Sequence, residues 1–546
     1  MRKRICALLV ATLAISMFAG CNNGKEIKDT NSTEKASTKV ESSSAMQLMD
    51  QVSLPDNKKT DDKYRNYYEI FPYTFCDSNG DGIGDINGIT SKLDYISEMG
   101  IDAIWLTPIH ESMTYHKYDV VDYYSIDKQF GTMEDFENFI AECDKRGIKV
   151  IMDLVVNHTS SANDWFYETK EYLQELGDKE PDVKDCKYLE YYNFTKEYET
   201  GYTQIKGTDW YYESRFWSEM PDLNLDNKAV RDEITKISKF WLDKGVAGFR
   251  LDATTSYYTG NDDKNIEFLK WINSMVKSQK EDAYLIGECW VNSAVYTKYY
   301  SSGIDSFFNF DFADNKGAVA SVMRGSSAKE LGKHIVDVEN NMKANNEAFI
   351  GAAFTSNHDT GRSAGFYAGD YSEAMTKMGQ GITMMMGGCY YLYYGDEIGM
   401  KGSGDDENKR APMVWNDDSE ADGMCKGVTT KSIDMKYGSV DSQLENGDSI
   451  YNYVREGLKL RNVYPEIARG TTTVNESLSD DSILVLEKDY NGEKITIVMN
   501  TSAEKKEVKV GNDALKLSGL LLTSTENATY EAGVATMPAY SIMLLK

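Results

Sequence analysis

From about residue 62 onward, short runs that are apolar on both faces alternate with longer segments whose apolar positions recur every three or four residues. The short runs are Tyr67–Phe71, Ala103–Thr107, Lys149–Val156, Gly248–Leu251, Tyr284–Gly287, Ser306–Phe312, Phe349–Phe354 and Tyr390–Tyr394. Strands that hide both faces belong to parallel sheets covered by helices. The longer segments include Met133–Arg146, with Phe136, Phe139 and Ile140 on one stripe, and Val230–Leu242, with Ile234, Ile237 and Trp241; both have helical period. Eight β-then-α units predict an α/β fold, a (β/α)8 TIM barrel whose working residues gather beyond the C-terminal strand ends.

Two stretches break the rhythm. Residues 159–227 are polar and aromatic with no clean βα unit, too long for a plain loop, and read as a small inserted domain after strand 3. Residues 467–546 turn to short strands (Ile483–Lys488, Lys494–Asn500, Glu507–Val510, Ser541–Leu545) divided by turn residues such as Asn491 and Gly492, which predicts an all-β C-terminal sandwich. The barrel then takes 63–158 and 228–466. At the N-terminus, Arg2, Lys3 and Arg4 precede an apolar run from Ile5 to Ala19, then Gly20 and Cys21. A basic start, a short apolar run and small residues mark a secretory signal over 1–20, and the run is shorter than the roughly 20 residues a bilayer span needs. The polar stretch 21–62 reads as a flexible tether.

Composition narrows the function. The formal net charge is −28 over 546 residues, which repels phosphate backbones and anionic headgroups, so nucleic acid is not an expected partner. Tyrosine outnumbers phenylalanine, 37 to 19, an excess of amphipathic rings suited to sugar ligands. Of the cysteines, Cys76, Cys143, Cys186, Cys289, Cys389 and Cys425 follow the signal and Cys21; they show no metal-like spacing, and the sequence assigns no pairing among them.

Candidate chemistry falls where strands end. DLVVNH closes the third strand with Asp153, Asn157 and His158; GFRLD closes the fourth with Arg250 and Asp252; Glu288 follows the fifth and Asn357, His358 and Asp359 follow the seventh. Of five histidines, His158 and His358 sit in these clusters and His116 follows the second strand. On a barrel all of them converge on one pocket. Farther forward, Asp77, Asn79, Asp81, Ile83 and Asp85 place oxygen donors at alternate positions around Gly82, the front half of a calcium loop. The twelfth position is Gly88, so it is not an EF-hand.

These segments, with GIDAIWLTP (100–108), MPDLN (220–224) and GDEIG (395–399), resemble the α-amylase family of glycoside hydrolases (family 13), in a branch intermediate between oligo-1,6-glucosidase and neopullulanase; the likeness runs from about Tyr64 to the C-terminus. The resemblance implies a retaining mechanism, for which two carboxyl groups stand about 5–5.5 Å apart. It makes Asp252 the nucleophile, Glu288 the general acid/base and Asp359 the third carboxylate. It also makes Arg250 the cation that orients Asp252, gives His158 and His358 hydrogen bonds to the sugar, and makes Tyr118 a stacking platform beside His116. The loop from Asp77 to Asp85 resembles the structural calcium loop of the oligo-1,6-glucosidase branch. The segment before Cys21 resembles a bacterial lipobox, which implies a lipidated Cys21, export, and membrane attachment through that anchor alone. Enzymes of the family that cut α-1,6 bonds commonly carry an acid near Tyr115, and none stands here. The Lys-His pair that follows the nucleophile in typical α-amylases, closing a second calcium site, is replaced by Thr255 and Ser256; Asn157 and Asp222 are left as remnants of that site. The expectation is a monomeric α-amylase-type hydrolase of α-1,4 links in starch and maltooligosaccharides. The alternatives are an exo-acting or neopullulanase-like relative and a glycan-binding protein on an inactive barrel.

Overall fold

In the computed structural model, which describes residues 44–55, 62–177, 179–428 and 436–546, the eight apolar runs form parallel strands: β1 Asn66–Ile70, β2 Ala103–Leu106, β3 Lys149–Leu154, β4 Gly248–Leu251, β5 Tyr284–Gly287, β6 Ser306–Phe307, β7 Ala352–Phe354 and β8 Cys389–Tyr393. Their order is β6-β5-β4-β3-β2-β1-β8-β7, and a parallel bridge between Phe308 and Ala352 joins the two ends. That closes the barrel. The segment expected to be a strand over 306–312 pairs only at its start, because polar Asn309 and Asp311 turn the chain at the rim.

The interior explains the tyrosine excess better than sugar binding does. Tyr67 stacks on Tyr391 at 4.6 Å and on Tyr284 at 5.4 Å, and these rings fill the barrel with Trp105, Ile151, Ile286 and Phe308. Two of the hydroxyls are satisfied inside: Tyr391 Oη donates to Tyr284 Oη at 3.0 Å, and Tyr284 Oη to Ser306 Oγ at 2.7 Å. Buried tyrosine persists where its hydroxyl finds a partner.

Around the barrel, Met133–Lys145 begins at a capping box between Thr132 and Asp135 and buries Phe136, Phe139 and Ile140. Lys228–Asp243 is capped by Asn227 and buries Ile234, Ile237 and Trp241. Within 159–227 lie the helix Asp164–Glu175 and a three-stranded antiparallel sheet of Phe194–Thr195, Tyr211–Glu213 and Tyr202–Gln204. A bridge between His158 and Asp222 fastens its return to the end of β3. The C-terminal residues form two antiparallel sheets, five-stranded and three-stranded. Asn491 and Gly492 both have positive φ, 57° and 86°, as a two-residue hairpin loop requires. The helix Ala328–Asn345 meets the five-stranded sheet at Gly332, where a Cβ would stand 2.4 Å from Leu484 Cδ1.

One expectation is corrected. The stretch read as tether is ordered over 44–55: Ser44 caps a helix, Ala45–Met49, and Ala45, Leu48 and Met49 are buried. Three apolar residues in a polar run were enough to dock it, with Ala45 N–H donating to Asp448 at 2.6 Å. The six cysteines after Cys21 are buried and carry no disulfide. The signal and Cys21 lie outside the described residues, and among the described residues no helix is long and apolar enough to cross a membrane.

Candidate active site

The register of β4 and β5 sets the centre of the site. Leu251 pairs with Gly287, so Asp252 and Glu288 leave the barrel side by side. The backbone holds them there: Glu288 N–H donates to Leu251 O at 2.9 Å, and Thr254 N–H to Glu288 O at 3.0 Å. Arg250, two residues before Asp252 on the same face of its strand, is fully buried. Its Nη1 donates to Asp252 and, at 2.5 Å, to Asp153 Oδ1, while its Nη2 lies 3.2 Å from Glu288 Oε1. One guanidinium therefore touches both carboxyl groups, and Trp105 Nε1 fixes Asp153 from behind at 2.9 Å.

Glu288 also accepts the Ala253 N–H at 2.9 Å. Ala253 has φ of 50°, a left-handed turn that costs a non-glycine residue about 1–2 kcal/mol. Burial pushes the Glu288 carboxyl up to about 7; Arg250 opposes this, and the charges of Asp252 and Asp359 add to it. Asp359 behaves oppositely. Burial would raise its carboxyl, but His358, 2.8 Å away, and Arg410, at 2.8 Å on the other oxygen, hold it well below the usual carboxylate range. His358 is pushed up to about 10: burial opposes the charge, and Asp359 together with Glu69, 2.6 Å from Nδ1, outweighs it. One carboxyl in the cleft keeps its proton near neutrality while another stays charged, the division that acid-assisted chemistry needs.

The cleft encloses about 510 Å³ and is lined by Asp252, Glu288, Asp359, Tyr118, His116 and His158 among others. Tyr118 Oη bonds Asp153 at 3.3 Å and His358 Nε2 at 2.7 Å, fixing the ring. His116 Nδ1 accepts the Tyr118 N–H at 3.1 Å, and burial pushes its imidazole down to about 4. Nε2 then carries its remaining proton. Burial likewise lowers His158, whose buried Nε2 has no hydrogen-bond partner among the described residues.

Six of the eight catalytic and sugar-binding candidates thus line the cleft, and two stand behind it. Arg250 was expected behind. His358 was expected to reach the sugar; instead it is wholly buried, with Nε2 committed to Asp359 and Tyr118. Its place in this structure is to hold Asp359.

The calcium candidates stand on one loop ahead of the helix Ile86–Ser91. Asp77 accepts the N–H groups of Asn79, Gly80 and Gly82, and Asp81 accepts that of Ile83. Asp85 accepts Ser78 N–H and Oγ–H and Gly88 N–H. Among the described residues no three His, Cys, Asp or Glu side chains are grouped to hold a metal ion. The donor types at these positions, carboxylates with an amide and a carbonyl, are of the kind calcium takes, but in this structure the carboxylates are engaged by the loop's own N–H groups. At the remnant second site, Asn157 Nδ2 donates to Asp222 at 3.4 Å, Asp222 accepts the Arg215 N–H at 3.1 Å, and the Arg215 guanidinium pairs with Glu213 at 2.7 Å. A fixed cation stands in that polar cavity.

Four functional residues went unassigned in the sequence. Arg410 donates to Asp359, to Tyr115 Oη at 2.9 Å and to His358 O at 3.0 Å, closing one side of the cleft. It directly follows Lys409 at the end of the one-turn helix Asp406–Lys409, and nothing in that segment's sequence points to the cleft. Glu69, an acid inside an apolar strand, was a readable signal. Trp290 and Phe216 line the cleft half-exposed, at 51% and 52%; Trp290 stacks on Phe310 at 5.2 Å and Phe216 lies 5.4 Å from the His158 ring.

Comparison with known proteins agrees with this geometry. The family model described as alpha amylase, catalytic domain, matches residues 69–470. The chain is 36% identical over 497 residues to alpha-amylase 3 of Dictyoglomus thermophilum, covering 88% of this chain and 93% of that one. It is 30% identical to an oligo-1,6-glucosidase of Parageobacillus thermoglucosidasius, with 80% and 90% covered. Among solved structures, Amy13B of Eubacterium rectale superposes with a TM-score of 0.89 at 46% identity, covering 92% of this chain and 99% of that one. With this match and this cleft, the chain belongs to the α-amylase family of glycoside hydrolases.

Proposed function

We propose that this glycoside hydrolase cleaves α-1,4-glucosidic bonds of starch and maltooligosaccharides with retention, outside the cell and tethered through Cys21. Asp252 attacks the anomeric carbon as Glu288 gives its proton to the departing oxygen, leaving a glycosyl ester on Asp252. Glu288, now a carboxylate, takes a proton from water, whose oxygen then displaces Asp252. The observation that carries this reading is the pairing of Asp252 and Glu288 on adjacent strand ends under one guanidinium, with the Glu288 carboxyl pushed up to about 7. Asp359, held by His358 and Arg410, is placed to bond sugar hydroxyls, and His116 and His158 face the same volume with uncharged rings.

The α-1,4 preference is supported by the first relative's name and by Tyr115 standing where α-1,6-cutting relatives carry an acid. Exo action is the second reading: Arg410, tied to Asp359 and Tyr115, walls one side of the cleft, and oligo-1,6-glucosidases are among the relatives. Chromatography of products from starch, pullulan and maltotriose separates them. Mixed maltooligosaccharides from starch match the first reading, and glucose alone from every substrate overturns it in favour of the second. A calcium ion at Asp77, Asn79, Asp81, Ile83 and Asp85 would brace a loop of the active face. A lower melting temperature in a chelator, restored by calcium and absent in Asp85→Asn, supports that role; unchanged melting refutes it.

A further inference from the structure

A second cavity, of about 180 Å³, lies at the opposite end of the barrel from Asp252 and Glu288. Tyr64, Gly351 and Gly388 line it, and these precede β1, β7 and β8, so the cavity opens beside the N-terminal strand ends. The helix Ala328–Asn345 and the first strand of the C-terminal sheet, Thr471–Val474, complete its walls. It therefore sits at the joint between barrel and C-terminal sheets. No residue of the catalytic cleft touches it.

The lining is amphipathic in a particular way. Ile335, Val338 and Met342 supply an aliphatic wall, and Phe349 adds an aromatic face. Into this surroundings comes one unsatisfied acceptor: Asn309 is 2% exposed, lines the cavity, and its Oδ1 has no hydrogen-bond partner among the described residues. Its backbone is held by Asn309 N–H donating to Ala352 O at 3.0 Å. A further acceptor is near, since Glu339 lines the cavity and its Oε1 takes the Thr472 hydroxyl at 2.9 Å. A buried acceptor without a donor costs free energy, which a ligand hydroxyl donating to it would relieve.

Charge narrows the ligand. Arg469, a cation of the lining, is already spent on Asp62 through bonds of 2.8 and 2.7 Å. Lys343 and Glu347 at the mouth are exposed and opposite in sign. Glu339, an acid of the lining, is opposed by the buried Lys488 beside it, so neither an anion nor a cation finds an unopposed partner. Hydroxyl donors on a ring with apolar C–H faces match both the acceptors and the walls, and the volume accommodates a single ring.

We propose that this cavity binds a neutral polyol the size of one hexose, with a hydroxyl donating to Asn309 Oδ1 and a C–H face against the aliphatic wall. The site is separate from the catalytic reading and stands or falls without it. A ligand bound only in the folded state stabilises the joint it occupies.

The test is a crystal of the full chain soaked in glucose up to its solubility limit. The expected result is pyranose density in the cavity with a hydroxyl in hydrogen-bond distance of Asn309 Oδ1; water alone there overturns the proposal. In solution, saturation-transfer NMR of glucose is recorded with the cleft of Glu288→Gln filled by a long maltooligosaccharide. The glucose signal that remains should vanish on adding Asn309→Leu, with the fold checked by melting temperature and kcat/KM unchanged when Asn309→Leu stands alone. A remaining signal undiminished in the folded variant refutes the site.

Discussion

Glu288 carries the acid–base burden, and its replacement by glutamine separates its role from every other. A solvated glutamic acid titrates near 4.3, whereas burial with the charges of Asp252 and Asp359 pushes this carboxyl up to about 7. The difference, at about 1.4 kcal/mol per unit, is on the order of 4 kcal/mol favouring the protonated form. For an unactivated maltooligosaccharide, kcat/KM should then fall about tenfold per pH unit above 7, as the acid loses its proton. Glu288→Gln should lower kcat on that substrate by about 10²–10⁴. With a leaving group that needs no proton, such as fluoride, the loss in kcat/KM should be far smaller, and the limb near pH 7 should disappear. The same shift has a stability consequence. A carboxyl raised in the folded state contributes stability that is full below about 4.3 and lost as pH rises through 7, so Glu288→Gln should melt higher than the parent at pH 8 and equally at pH 4. Retention of the limb near 7 in Glu288→Gln would refute the assignment of the acid.

Other consequences are open to direct measurement. Trp290→Ala removes a half-exposed ring from the cleft wall and should raise KM for maltooligosaccharides by a factor matching about 1 kcal/mol of lost stacking, with melting temperature unchanged. Arg410→Ala frees Asp359 and Tyr115; kcat/KM should fall at least tenfold, and a product pattern shifted toward longer oligosaccharides would show that Arg410 walls the cleft. Gly332→Ala puts a methyl 2.4 Å from Leu484 Cδ1 and should cost about 1–3 kcal/mol in denaturant unfolding.

The barrel was legible because burial on both faces leaves an unbroken apolar run, and all eight runs became strands, seven within three residues of their expected ends and the sixth stopping at Phe307. The catalytic carboxyls were legible because Asp252 and Glu288 stand immediately after such runs and Asp359 a few residues beyond one. What escaped notice depends on contacts distant in the chain. Arg410 reaches Asp359 across 51 residues from the end of a one-turn helix, and Phe216 enters the cleft from the inserted segment. His358 was placed in the right cluster, but its hold on Asp359 was not legible, because which nitrogen faces Asp359 depends on Glu69 in β1 holding the other. Four C-terminal strands were missed. Thr471–Val474 has little apolar pattern, Leu517–Leu521 is broken by a bulge near Gly519, and Thr529–Glu531 and Val534–Met537 are short.

The account rests on a covalent bond between Asp252 and sugar. Glu288→Gln incubated with a 5-fluoro-α-glucosyl fluoride, digested and mapped by mass spectrometry, reads this directly. The predicted result is a single glycosylated peptide with the modification on Asp252, absent in Asp252→Asn. Label on another residue, or complete hydrolysis with inversion at the anomeric carbon and no adduct, would contradict it.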